Sequence, residues 1–219
     1  MAYVLATPNN PTGAQAPRGF LQRAIDLAHE YHFAIVQDFA YAGLGVDAQQ
    51  ISILSLPCAF DVAVEVCSLS KMYAMAGWRA GFIAGNDDIV SHVKQYHYQM
   101  GSMVTSSIQD AGTVALLSDQ SCVAELAERY ASRREIVAGG LREVGLDVFD
   151  SDGGIYAWVH APEDQTGEQF ADMLLERAAV AALPGMCFGK VGKDYVRFSL
   201  LKSEDQLREA VRRVAAVLA

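Results

Sequence analysis

Five short segments set reactive or charged side chains beside apolar runs of strand type. They are Asn10 in Asn-Pro-Thr-Gly, Asp38 with Tyr41 in Asp-Phe-Ala-Tyr, Lys71 in Ser-Leu-Ser-Lys, Arg79 in Gly-Trp-Arg-Ala-Gly, and Arg197 in Tyr-Val-Arg-Phe-Ser. The carboxyl ends of strands are where open α/β sheets bind their ligands. Lys71 is one of only five lysines and stands among small residues behind an apolar run. A lysine in a partly desolvated loop can lose its proton and add to an aldehyde as a Schiff base; the ordinary alternative is a solvated surface lysine. Asp38 could keep a ring nitrogen protonated and so make a heterocycle an electron sink, or it could be a turn aspartate or helix cap. Tyr41 could donate to a ring hydroxylate or simply pack, and Asn10 could do no more than close a turn before Pro11. For Arg79 and Arg197 the plain alternative is a surface or interdomain ion pair. Tyr73 and Tyr156 are given no role.

The elements that must position these residues read as follows. Tyr3–Thr7 is a short strand stopped by the turn-formers Pro8 to Gly13. A helical pattern from Pro17 to His32, with Leu21, Ile25 and Ala28 on one face, leads to a second strand at Phe33–Gln37, making a βαβ unit. Val62–Cys67 and Ala80–Ala84 are further strands, and Asp87–Met100 and Thr105–Leu117 are helices. One long helix is expected from about Val123 to Val144, and a domain boundary is placed at its start: residues 1–122, then 123–219. Beyond it come strands at Leu146–Phe149 and Ile155–Val159, a helix at Gly167–Ala178, strands at Val180–Leu183 and Tyr195–Leu200, and a last amphipathic helix to about Leu218. Thr166 with Gln169, and Ser203 with Gln206, have capping-box spacing.

Composition narrows the class. The 219 residues are 52% hydrophobic and 20% charged, as in globular proteins, and 17 basic against 26 acidic side chains give a net charge of −9. With no basic stripe, nucleic acid is not an expected partner. The longest apolar stretches fall far short of the roughly 20 residues that cross a bilayer. Met1 runs directly into Ala-Tyr-Val-Leu-Ala without a basic leader, so a cytoplasmic setting is expected. Cys58, Cys67, Cys122 and Cys187 form no C-x-x-C pair and read as reduced thiols. The pairs His29/His32 and His92/His97 have no third ligand nearby, so no metal is expected.

In their order, Asn10-Pro11-Thr12-Gly13, Asp38-x-x-Tyr41, Ser68-x-x-Lys71, Gly77-Trp78-Arg79-x-Gly81 and Arg197-Phe198-Ser199 resemble the class I/II aminotransferases of pyridoxal-phosphate fold type I. The resemblance implies an α/β fold: a partial three-layer, mixed-sheet cofactor domain followed by a smaller α+β domain. It implies pyridoxal 5'-phosphate as cofactor, with Lys71 forming the internal aldimine and moving the proton. Asp38 would pair with the ring nitrogen, Asn10 and Tyr41 would bond the ring oxygen, and Ser68 and Arg79 would bind the phosphate. Arg197 would grip the substrate carboxylate, and Asn10 would also bind the substrate. The substrates would be an L-amino acid and a 2-oxo acid, and the protein a homodimer. Family members are considerably longer and begin with an arm, further strands and a glycine-rich turn, so the chain is expected to be a C-terminal part with the N-terminal region absent.

Three other readings remain. Fold type I also carries C–S lyases and decarboxylases on the same lysine, aspartate and arginine. A catalytically incomplete fragment could act only through a partner interface. Gly43-Leu44-Gly45-Val46-Asp47-Ala48 fits G-x-G-x-x-A, with Glu65 twenty residues beyond Gly45. A dinucleotide fingerprint, however, must follow a strand at once and open a helix, which this run does not do.

Overall fold

A computed structural model describes residues 1–45, 50–101 and 103–218. The chain forms two units, residues 1–8 with 15–127 and residues 9–14 with 128–219. The short segment 9–14, placed with the first domain in the sequence reading, thus belongs to the second unit.

In the first unit β1 (Ala2–Ala6), α1 (Arg18–Tyr31) and β2 (Ala34–Asp38) make the βαβ element, and β3 (Ala63–Ser68) adds a second parallel neighbour. A single-turn helix, α2 (Leu69–Met72), follows β3 directly. β4 (Gly81–Gly85) then returns antiparallel, giving a mixed sheet of order β1-β2-β3-β4. Pro17 precedes α1 with φ −69°, a value its ring imposes, and His32 ends the helix in the left-handed region at φ 54°. The helical repeat puts Leu21, Ala24, Ile25 and Ala28 on one face, packed with Ile35, Ile53, Leu56, Ala59 and Ala63. Gln37 is wholly buried in β2. Its amide donates to the carbonyls of Thr7 (3.3 Å) and Ile51 (3.2 Å) and accepts from the Ile53 N–H at 2.8 Å, which ties the loop after β2 to the end of β1. Three helices complete the unit's course: α3 (Asp87–Gln99), capped by Asn86 at the Ile89 N–H, then α4 (Ser106–Leu117) and α5 (Ser121–Arg134), which runs on into the second unit. None of the helices formed by the described residues is long and apolar enough to cross a membrane.

The second unit continues through α6 (Gly140–Glu143), β5 (Tyr156–His160), α7 (Gly167–Ala178), β6 (Leu183–Pro184), β7 (Tyr195–Ser199) and α8 (Glu204–Leu218), with antiparallel strand order β5-β7-β6. Strand alternation sends Ala157, Val159, Val196 and Phe198 to one face. There they meet Phe170, Ala171 and Leu174 of α7 and Leu207 and Val214 of α8. Both capping boxes form. Thr166 Oγ1 accepts from the Gln169 N–H while Gln169 Oε1 accepts from the Thr166 N–H, and Ser203 and Gln206 repeat the exchange. Together the units are the mixed-sheet α/β domain and smaller α+β domain that the sequence implied.

Three expected elements differ. The long helix is broken into α5, a π-helical turn at Glu135–Gly139, and α6, with the glycines 139 and 140 lying at the break. Leu146–Phe149 reduces to one isolated antiparallel bridge, Val148 to Val159. Leu146 and Val148 are buried, so their apolar pattern reflects core packing rather than a ladder. Val180–Leu183 shrinks to Leu183–Pro184, because the Val180 N–H is spent on the Leu174 carbonyl at the end of α7, where Ala179 turns left-handed.

Candidate functional site

The first unit gathers its candidate residues at one end of the sheet. In the parallel register Ala6 lies beside Asp38, and Asp38 beside Val66, so β1, β2 and β3 all end at the same edge. The antiparallel return sets Gly81 opposite Ser68, which brings the residue two before Gly81, Arg79, to that edge as well. Close approach of the strands requires a glycine there: a Cβ on Gly81 would stand 2.5 Å from the Cys67 carbonyl oxygen.

Asp38 is the last residue of β2 and is exposed. Its carboxylate accepts from the Ala40 N–H at 3.1 Å, and its carbonyl accepts from the Thr7 N–H at 3.2 Å. Tyr41 is buried in the turn that follows. Ser68 caps α2, its hydroxyl oxygen accepting from the Ser70 N–H at 3.2 Å, so its own O–H remains a donor. Lys71 is half-buried in that helical turn. Two neighbours fix the turn: the Leu69 N–H donates to the Ala80 carbonyl at 3.2 Å, and Leu69 is buried against Gly112 of α4, where a Cβ would come within 2.9 Å of it. Arg79 adopts the left-handed conformation at φ 53°, unfavourable for a side chain with a Cβ, and donates to the Ala76 carbonyl at 3.1 Å. Among the described residues Asp38, Lys71 and Arg79 make no ion pair.

The second unit joins Asn10 and Arg197, which are 187 positions apart: Arg197 Nη1 donates to Asn10 Oδ1 at 2.8 Å. The turn carrying Asn10 is held by the Gly13 N–H on the Asn9 carbonyl (2.8 Å). Gly13 itself, at φ +73°, leaves room for Ser151 and Gly153, which any Cβ would strike. Arg197 stands on β7 opposite Trp158 of β5. Its guanidinium carbon lies 3.9 Å from the Tyr156 ring centroid and 4.7 Å from that of Phe188. Sequence alone gives Tyr156 no role and does not mark Phe188 as a neighbour of Arg197. The available signal was the alternation Tyr156-x-Trp158 against Tyr195-x-Arg197, which a strand pair brings to one face.

The glycine run at 43–48 does not build a nucleotide site on the described residues, and Val46, Asp47 and Ala48 lie outside them. Glu65, which that reading would need free for a ribose, is buried in β3 and accepts from the Ser52 hydroxyl (2.5 Å) and the Leu54 N–H (3.2 Å). No group of three or more His, Cys, Asp or Glu among the described residues is placed to hold a metal ion.

Chemically, the first unit presents an amine for a carbonyl, a carboxylate for a cationic ring nitrogen, and a guanidinium with a hydroxyl for an oxyanion. The second presents a guanidinium fork for a carboxylate.

The sequence model for "Aminotransferase class I and II" matches residues 3–214. The L-glutamine–4-(methylsulfanyl)-2-oxobutanoate aminotransferase of Bacillus subtilis is 43% identical over 94% of this chain and 52% of its own length. The glutamate-pyruvate aminotransferase AlaC of Escherichia coli is 38% identical over 98% of this chain and 53% of its own. A solved aminotransferase from Staphylococcus aureus superposes with a TM-score of 0.95 at 34% identity, covering 99% of this chain and 58% of that one. The chain spans about half the length of the curated relatives it matches. The expectation of a C-terminal part with the N-terminal region absent is corrected by these matches: the family model takes in residues 3–214 as one run, and the solved structures cover 98–100% of the chain. From within its first strand to its last helix, the chain belongs to the class I and II aminotransferases.

Proposed function

We propose that the protein is a pyridoxal 5'-phosphate-dependent aminotransferase that moves an amino group between an L-amino acid and a 2-oxo acid. The observation that carries this reading is the register of the first sheet, which delivers Asp38, Ser68, Lys71 and Arg79 to one edge. None of the three charged groups there makes an ion pair among the described residues. This donor set fits the cofactor group by group: Lys71 for the aldehyde, Asp38 for the ring nitrogen, Ser68 and Arg79 for the phosphate. Bound there, pyridoxal phosphate supplies an electron sink for the bonds of the substrate α-carbon.

The chain's own residues do the rest. Asp38 would accept the ring N–H and so favour the cationic form of that nitrogen. Tyr41 would donate to the ring oxygen, and Asn10, whose amide oxygen accepts from Arg197, would have its N–H donors left for the same role. Lys71 Nζ would hold the cofactor's aldehyde carbon, and its amine would move a proton to and from the substrate α-carbon. Arg197 binds the α-carboxylate through its fork and so sets which α-carbon bond is poised to break.

The homodimer implied by the family draws support from apolar side chains exposed on α3 and α4, among them Tyr96, Tyr98, Val114 and Leu117. Four free thiols accord with a cytoplasmic setting.

The test is direct. Purified protein mixed with pyridoxal phosphate should develop a visible chromophore that borohydride fixes onto Lys71, located by peptide mass, and Lys71→Ala should abolish it. With an L-amino acid and a 2-oxo acid the loaded protein should exchange the amino group. Ammonia release without exchange would assign a lyase instead.

A further inference from the structure

We propose that Tyr156 and Phe188 are positioning residues that hold the Arg197 guanidinium in a single orientation, so that its unused N–H donors face an incoming carboxylate already aligned. The inference rests on the reading of Arg197 as the carboxylate site and names what makes that site selective.

An unrestrained arginine rotates about four side-chain bonds, and binding must freeze them. Here three groups have done so in advance. Asn10 Oδ1 takes one N–H of Nη1 at 2.8 Å. The Tyr156 and Phe188 rings, at 3.9 and 4.7 Å, offer their electron-rich faces to the cation. No acid lies within ion-pair distance of Arg197 among the described residues, so the rest of the fork has no acceptor of the protein's own.

The rings are themselves fixed. Tyr156 sits on β5, diagonal to Arg197 across the β5–β7 ladder. The start of β5 is pinned where Arg134 Nη2 donates to the Gly154 carbonyl (2.7 Å) and the Leu200 N–H donates to the Ile155 carbonyl (3.0 Å). Phe188 closes the 3-10 turn Gly185–Phe188 and meets the Trp158 ring edge-on at 5.8 Å. That turn is seated against Trp158 by Gly185, where a Cβ would stand 2.5 Å from the indole. Two rings on a rigid frame cost the arginine no salt bridge that a substrate would have to break. An aspartate in their place would orient the fork equally well and neutralise it.

The experiment uses the pyridoxal-phosphate-loaded protein and Tyr156→Leu, Phe188→Leu and Tyr156→Phe, each checked for folding by circular dichroism. Donors are an L-amino acid and the corresponding amino-acid amide, which lacks the carboxylate. Each leucine variant should raise KM for the acid about tenfold, with kcat within about threefold and the amide unaffected. Tyr156→Phe, which keeps the ring, should restore KM to within about twofold. Pyruvate binding to the unloaded protein, followed by NMR, should weaken in parallel.

An equal change for acid and amide, no change in either leucine variant, or a Tyr156→Phe defect matching Tyr156→Leu would each overturn the proposal. Wild-type protein that binds pyruvate but transfers no amino group would sink the functional reading alone. Wild-type protein that binds no pyruvate would sink the clamp.

Discussion

At the scale of single residues, charge pairing separates two populations of arginine. Arg208, Arg212 and Arg213 meet Glu204 and Glu209 along α8, whereas Arg79 and Arg197 meet only carbonyl, amide or ring partners among the described residues. Pairs on an exposed helix contribute little to stability, while an unpaired guanidinium keeps its full attraction for an anion. The residues beneath the sheet edge behave differently. The Cys67 thiol is pushed up to about 11, first by burial and then by the charges of Glu65 and Asp38. Below about pH 9 the thiol is protonated in both folded and unfolded chains, so its ionisation adds no pH dependence to stability. As pH rises from about 9 towards 11 the unfolded chain ionises first, and stability falls. Urea midpoints should therefore drop between pH 8 and pH 10, and drop less in Cys67→Ala. In the same pH range iodoacetamide should label the exposed Cys58, Cys122 and Cys187 well before Cys67.

At the scale of elements, the turn from β3 through α2 to β4 concentrates the constraints. The two glycines of Gly-Trp-Arg-Ala-Gly look alike in sequence but differ in space: a Cβ at Gly81 would collide with backbone, whereas nothing lies within 4 Å of one at Gly77. Gly81→Ala should cost about 1–3 kcal/mol in denaturant unfolding, and Gly77→Ala should stay within about 0.5 kcal/mol of wild type. The α7 capping box supplies a second check. Thr166→Ala should cost about 1 kcal/mol, because it leaves the Gln169 N–H without its acceptor. Such boxes and the α1 periodicity are local, and they are legible from sequence. The break at Glu135–Gly139 is not, because a π-turn keeps the helical texture and changes only the hydrogen-bond partner.

At the scale of the whole molecule, each unit has its own main core among the described residues, the first around Leu21, Ile25, Ile35 and Ile53 and the second around Leu141, Phe170, Leu174 and Val214, with a smaller cluster at Phe39, Ala42 and Cys67. Phe170→Ala should cost about 3–5 kcal/mol. Its loss of hydrogen-exchange protection should appear first in β5, β7 and α7, and that of Leu21→Ala first in β1 to β3. The division explains a limit of reading along the chain. Residues 9–14 follow β1 immediately, yet they pack with the loop at Ser151–Gly153 and with Arg197.

The sequence by itself determined the order of the elements, the family, and the side chains capable of the chemistry, because strand and helix periods, caps and turn-formers act over a few residues. Tertiary structure alone decided which strand ends share an edge, that Glu65 is buried rather than available to a ligand, and that Tyr156 and Phe188 stand over Arg197. Those outcomes depend on register and on contacts spanning up to 187 positions. No local propensity specifies such contacts, since they form only when distant apolar faces are buried together.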